Sequence, residues 1–132
     1  MSTITPTPSQ QVFTPATANS TLPLVRRIVA DILEIGRAIR SKADTGTPDW
    51  EKTPDVQRRM DQLEELMVEL QSIGCSYRDW NFDVGLVDFP AIIEGEEVLL
   101  CWRSDEDAVT HYHGVHDGYA GRRSIPPQCL GD

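Results

Sequence analysis

All three histidines of the chain lie within six residues, as His111, His113 and His116, and Asp117 follows the last of them. Imidazole nitrogens and carboxylate oxygens are the ligands that zinc, manganese and iron use in proteins. Side chains alternate between the two faces of a strand, so His111 and His113 would share one face and Tyr112 would lie on the other. The cluster predicts a divalent metal site whose candidate ligands in this segment are His113, His116 and Asp117.

Asp88 is the fourth candidate ligand of this predicted site. It would supply a carboxylate oxygen, and in a metal-dependent hydrolase it would be the general base. An aspartate just before a Phe-Pro pair also commonly caps a turn or pairs with an arginine, for which Arg122 and Arg103 are the candidates. Those two arginines therefore have either a structural role or a role in anion recognition.

The rest of the sequence offers little further chemistry. No serine, threonine or cysteine stands in a recognised nucleophile motif, and no phosphate-binding glycine loop occurs. Cys75, Cys101 and Cys129 are far apart and form no CxxC pair, which favours free thiols over a structural zinc site. The sequence favours a non-catalytic binding or interaction module, and the alternative is a small metalloprotein that could act as a hydrolase.

Charge and length narrow the classes of partner. The 132 residues include 12 basic and 21 acidic side chains, a net charge of −9. Such a chain repels phosphate backbones, so nucleic acid is not an expected partner.

No apolar run approaches the ~20 residues of a spanning helix, so no membrane association is expected. The thiols and the absence of a leader pattern at the N-terminus predict a cytoplasmic location.

The acidic charge is concentrated in the half of the chain that contains the histidines. Residues 74–132 carry four basic and 11 acidic side chains, a net charge of −7. An acidic field attracts metal ions and cationic partners. It is equally typical of a soluble surface.

Three helices are predicted in the first half. Thr14 and Pro15 form a helix start signal, and Pro23 repeats it, so a short helix should begin at residue 15 and a longer one should run from residue 23 to about residue 41. A third helix should begin at Pro54 and end before Gly74.

The third helix carries a heptad-like apolar stripe. Its members alternate four and three residues apart, which allows packing along the preceding helix as an antiparallel hairpin. The same stripe predicts self-association into a homo-oligomer through the hairpin. The stripe consists of Val56, Met60, Leu63, Met67 and Leu70.

The second half is predicted to be an antiparallel β-meander. Short extended segments alternate with turn residues, and Pro90 should end the first of them. The predicted strands cover residues 85–89, 97–103 and 109–113.

Together these segments predict an α+β fold, with a helical hairpin packed against a small meander. A chain of this length has room for one hydrophobic core, so we expect one domain. The predicted boundaries are a flexible tail at 1–11, a single domain at 12–125 and a flexible C-terminal tail at 126–132.

Several short segments, taken in order, resemble a bacterial family known only as domain of unknown function 2203. The likeness spans roughly residues 12–125. The resemblance implies no activity, because none is assigned to that family. The matching positions are 13–14, 18–19, 22–25, 85–90, 98–103, His113 and 118–122.

Overall fold

The structure, a computed structural model, describes residues 12–131, and the predicted tail at 1–11 lies outside them. Two helices are followed by a five-stranded antiparallel sheet, which confirms the α+β class. The helices are α1 (Pro15–Asp44) and α2 (Pro54–Ile73). The strands are β1 (Ser76–Tyr77), β2 (Leu86–Ile93), β3 (Glu96–Arg103), β4 (His111–Gly114) and β5 (Arg123–Ser124).

The start of α1 follows from its cap. The Thr14 side chain accepts a hydrogen bond from the Thr17 amide, and the Thr17 hydroxyl accepts one from the Thr14 amide, so two donors without helical partners are satisfied. Pro15 then occupies the first turn, where its missing amide proton costs nothing.

The predicted separate short helix is not confirmed, because α1 continues through Pro23. A proline inside a helix costs roughly 3 kcal/mol. Buried side chains on both sides of it, Leu22 and Val25, offset that cost. The Asn19 side chain adds two hydrogen bonds to the backbone of Val109, which anchor this part of α1 to the loop before β4.

The bounds of α2 agree with the sequence signals. Thr53 caps its first turn, Pro54 is the first helical residue and Gly74 ends it with a φ of 110°, which favours glycine. The two helices are consecutive and contact each other. Their arrangement as an antiparallel hairpin stays a prediction.

The strands of the sheet lie in chain order, from β1 at one edge to β5 at the other. The prediction that Pro90 ends the first long strand is wrong, since β2 continues to Ile93. The carbonyl of Pro90 accepts a hydrogen bond from the Phe13 amide (2.7 Å), on the side of β2 that faces away from β3. The nitrogen of Pro90 faces the same way, so its missing proton removes no bond between β2 and β3.

The two faces of the sheet differ in composition. One face carries Val87, Phe89, Leu100 and Trp102, which form the hydrophobic core with the buried side of α1. Alternation places Asp88, Cys101 and His113 on the opposite face. The polar candidates are thus held by three neighbouring strands, β2, β3 and β4, on the face away from the core.

The chain after β5 also contacts this core. A single 3-10 turn covers Pro127–Cys129, and Cys129 is buried in the hydrophobic cluster together with Ile125. At least one residue of the predicted C-terminal tail at 126–132 is therefore packed. The flexibility of that tail stays a prediction.

Candidate functional site

Three buried side chains converge on the sheet face opposite the core. In the strand register Asp88 is opposite Cys101, and His113 is opposite Leu99. The exposed fractions are 4% for Asp88, 2% for Cys101 and 3% for His113. One potential ligand atom from each residue lies within 4.8 Å of the other two. We call these three residues the convergent cluster.

Both ring nitrogens of His113 lie beside oxygen atoms that accept hydrogen bonds. Nδ1 lies 2.8 Å from the backbone oxygen of Gly114, and Nε2 lies 3.2 Å from Oδ1 of Asp88. Both partners are acceptors, and a neutral imidazole carries only one proton. With one proton on Nδ1 for Gly114, a further proton or a cation is needed between Nε2 and Oδ1 of Asp88.

Asp88 has a second cationic partner. Its Oδ2 accepts a hydrogen bond from Nε of Arg78 at 3.0 Å. The sequence predicts Arg122 or Arg103 as the arginine that pairs with Asp88. In the structure Arg78 takes that role, because it directly follows β1, where Ser76 is opposite Asp88 in the register.

Cys101 is the member of the cluster that the sequence analysis did not include. Burial raises the pKa of its thiol to about 11, and the charge of Asp88 contributes to the rise. Its sulfur is therefore protonated at neutral pH unless a metal ion displaces the proton. The signal that could have found it was the register, since the central strand places Cys101 directly opposite Asp88.

A cavity of about 400 Å³ adjoins the convergent cluster. The chain between β4 and β5 contributes its outer wall. Two large apolar side chains at this wall are partly in solvent, Val115 with 49% and Tyr119 with 41% exposure. The lining residues are Arg78, Leu86, Asp88, Leu99, Cys101, His113, Val115, His116, Gly118 and Tyr119.

The four predicted ligands thus fall into two groups. Asp88 and His113 are brought together in the convergent cluster. His116 is exposed but lines the cavity. Asp117 is placed elsewhere, because its Oδ2 accepts the Gly114 amide at 3.1 Å and so closes the turn after β4. Metal ligation by any of the four stays a prediction.

His111 shares a face with His113, as alternation requires, but has other partners. Its Nδ1 lies 2.9 Å from the Thr110 hydroxyl and 3.7 Å from Oε2 of Glu106. It is therefore part of a second polar group around Glu106, beside the cluster.

Arg122 and Arg103 both make internal ion pairs in that second group. Arg122 donates to Oε1 of Glu106 and to the backbone oxygen of Cys101. Arg103 donates to Asp105 (2.6 Å) and to the Tyr119 hydroxyl (2.6 Å). Burial is the largest single effect on the pKa of Glu106 and raises it, but the hydrogen bonds from Arg122 and the Arg103 amide, together with nearby positive charge, outweigh burial and lower the pKa of this carboxyl. These contacts fix the cavity wall through Tyr119 and the backbone of Cys101.

Comparison with known proteins identifies the family of the chain but assigns it no activity. Within residues 12–131, no helix combines the length and the apolar character needed to cross a membrane. No curated protein and no solved structure matches the chain. A family model described as "Uncharacterized conserved protein (DUF2203)" matches residues 11–125, which confirms the resemblance seen in the sequence. The chain therefore belongs to the DUF2203 family of uncharacterized conserved proteins.

Proposed function

We propose that the protein binds one divalent metal ion through Asp88, Cys101 and His113, and that it prefers zinc to iron and manganese. The observation that carries the proposal is the position of His113 between two acceptors. With its single proton on Nδ1, donated to Gly114, the lone pair of Nε2 points toward Asp88. A metal ion at that point would bind both the nitrogen and the carboxylate oxygen, and the backbone bond would fix the ring as it does for many metal-bound histidines.

The donor set favours zinc. Thiolate sulfur is a soft ligand that suits zinc and iron better than manganese, and imidazole suits both of these metals. Three protein ligands are also the usual number in zinc sites that bind a further ligand. His116 is exposed at the same cavity but lies outside the proposed ligand set, which leaves the fourth position for a bound molecule.

Binding is proposed in preference to hydrolysis. The predicted general base is Asp88, but Arg78 donates to one of its oxygens and His113 lies beside the other. Neither oxygen is left free to accept a proton from a water molecule. A hydrolase would need a different base.

The test is metal analysis of protein that carries no histidine tag. We expect one equivalent of zinc by elemental analysis after zinc loading and desalting, with a rise in melting temperature. His113→Gln and Cys101→Ala should each abolish the stoichiometric zinc, whereas Cys75→Ala, a buried thiol of the hydrophobic core, should retain it.

Two results would overturn the proposal. One is wild-type protein without stoichiometric metal and without a thermal shift on addition of zinc. The other is a nitrogen NMR spectrum in which both ring nitrogens of His113 stay protonated in the presence of zinc, because a doubly protonated ring satisfies both acceptors alone.

A second candidate function is self-association through the two helices arranged as a hairpin. The observation that favours it is that the apolar stripe of α2 is only partly covered, since Met60, Leu63 and Met67 are half-buried. Val68, beside the stripe, is 56% exposed. Half-covered apolar helix faces are typical of association surfaces. Light scattering over a range of concentrations tests this candidate: we expect a dimer that Val68→Glu dissociates, and a monomer at high concentration would exclude it.

The remaining expectations concern location and other partners. Cys75 and Cys101 are buried thiols, which suits a reducing compartment, so we propose that the protein works in the cytoplasm. The net charge of −9 argues against nucleic acid as a partner. Fractionation of the native cells and binding assays at low salt would test the two statements.

A further inference from the structure

We infer that the cavity beside the convergent cluster binds a small organic acid, whose carboxylate is held by Arg78 and the metal ion while its apolar part lies on Leu99 and Val115. The inference rests on the metal site proposed above. It adds the chemical class of the ligand.

Arg78 lines the cavity, and among the described residues only one of its three guanidinium nitrogens has a partner. Its Nε donates to Asp88, and the side chain is 53% exposed. Within residues 12–131 its terminal nitrogens make no other hydrogen bond or ion pair. A guanidinium has five N–H donors in a planar fork that matches the two oxygens of a carboxylate. The bond to Asp88 restricts this fork, so the terminal donors are presented beside the cluster.

The charge of the loaded site favours an anion. A divalent ion is neutralised by one carboxylate, from Asp88, and one thiolate, from Cys101. Arg78 then leaves one positive charge at the cavity wall, although the chain as a whole is acidic. A monoanion would neutralise this charge, whereas a second cation would be repelled.

The walls of the cavity favour an organic acid over an inorganic oxyanion. Leu86 and Leu99 line the inner surface, and Val115 and Tyr119 are partly exposed at the outer wall. Apolar side chains grouped around a few convergent polar groups are typical of small-molecule sites. The volume of about 400 Å³ admits a small molecule. A ligand with an apolar body would cover the exposed side chains, which phosphate could not do.

The experiment uses the cobalt-loaded full chain, because the visible absorption of cobalt reports its ligands. The metal is added first, and acetate, butyrate, benzoate and inorganic phosphate are then titrated separately. We expect each organic acid to change the cobalt spectrum, with affinity rising from acetate to benzoate as more apolar surface is buried. Phosphate should bind more weakly than benzoate.

Two variants and one control locate the ligand. Arg78→Gln should weaken benzoate binding by roughly 10- to 100-fold, the usual effect of losing hydrogen bonds to a charged group. Val115→Asp places a negative charge at the outer wall of the cavity and should weaken benzoate binding by charge repulsion. Arg123→Gln removes an arginine of similar exposure that belongs to the opposite face, over Tyr112, and should have no effect.

The outcomes separate the two proposals. If cobalt gives no absorption band with the protein, the proposed metal site is wrong, and so is the proposed binding of an organic acid. If cobalt binds but no acid changes its spectrum, only the present inference is wrong. Benzoate affinity that is unchanged in both Arg78→Gln and Val115→Asp would also overturn it, and so would phosphate binding more tightly than benzoate.

Discussion

The two faces of the sheet are made by the same strands but differ in what they border. The core face, with Trp102 and Leu100, is apolar and packs on α1. The cavity face, one residue further along each strand, carries the convergent cluster and borders a cavity instead of a helix. Because alternation links the faces, a rigid core fixes the backbone that positions the polar side chains. Stability and binding should therefore be separable by substitutions at adjacent positions.

Trp102→Ala should have the largest effect on stability. Trp102 has no exposed surface, its ring lies under the guanidinium of Arg26, and its Nε1 donates to the backbone of Glu106 at 3.0 Å. Removing so large a buried side chain costs about 3–5 kcal/mol of the free energy of unfolding. Leu99→Ala, on the cavity face of the same strand, should cost roughly 1 kcal/mol because Leu99 is only half-buried. Urea denaturation of both variants measures the difference, and equal losses would contradict the separation of the faces.

Asp88→Asn should affect binding more than folding. The substitution keeps the shape but removes the charge that faces Arg78 and His113. We expect loss of about 1–3 kcal/mol in the free energy of unfolding of the metal-free protein. We also expect zinc affinity to fall by at least about 100-fold, since a ligand charge is lost.

Isothermal calorimetry and urea denaturation on the same preparation check this second prediction. The matched control is Asp117→Asn, at the carboxylate that closes the turn after β4. The control should keep its zinc affinity. A fall in stability without a fall in zinc affinity would mean that Asp88 is a structural ion-pair partner only.

The change from helices to strands at Gly74 and the bounds of α2 were predictable because they depend on local signals. Thr53, Pro54 and Gly74 fix α2 by capping and by backbone geometry alone. The continuity of α1 was not predictable, since it depends on a distant contact between Asn19 and the Val109 backbone. The extension of β2 beyond Pro90 likewise depends on Phe13, a residue far away in sequence.

The candidate site was half predictable for a related reason. His113 and Asp88 are polar residues within apolar strands, so the sequence alone makes them conspicuous. Cys101 reads as an ordinary buried residue until the register of β2 and β3 is known. Arg78 is recognisable only when β1 places it near Asp88. Long-range pairing decides these positions, and one chain carries no direct signal for it.

Alkaline pH should destabilise both faces through their thiols. Burial raises the pKa of Cys75, in the core, to about 12 from an ordinary value of 9.0, and that of Cys101 to about 11. Between pH 9 and these raised pKa values the thiols stay protonated in the folded chain but lose their protons in the unfolded chain. The contribution of the thiols to the free energy of unfolding is therefore complete below pH 9 and is lost as the pH rises. Each thiol contributes a slope of up to about 1.4 kcal/mol per pH unit.

Urea denaturation as a function of pH separates the two thiols. Cys75→Ala should reduce the alkaline slope with or without zinc, because Cys75 lies in the hydrophobic core. Zinc should remove only the contribution of Cys101, since a metal-bound thiolate has already lost its proton. A slope that zinc leaves unchanged in the Cys75→Ala variant would contradict a role for Cys101 in metal binding.

Ile92→Thr should have the smallest effect and so tests how far the cavity face extends. Ile92 is on the same face of β2 as Asp88, two alternations further along, but it is 52% exposed and does not line the cavity. Threonine keeps the branched shape that suits a strand, so the free energy of unfolding should change by no more than about 0.5 kcal/mol. Zinc and benzoate affinities should stay at the wild-type level. A clear loss of either affinity, measured by calorimetry, would mean that the binding surface extends along β2 beyond Pro90 and is larger than the cavity.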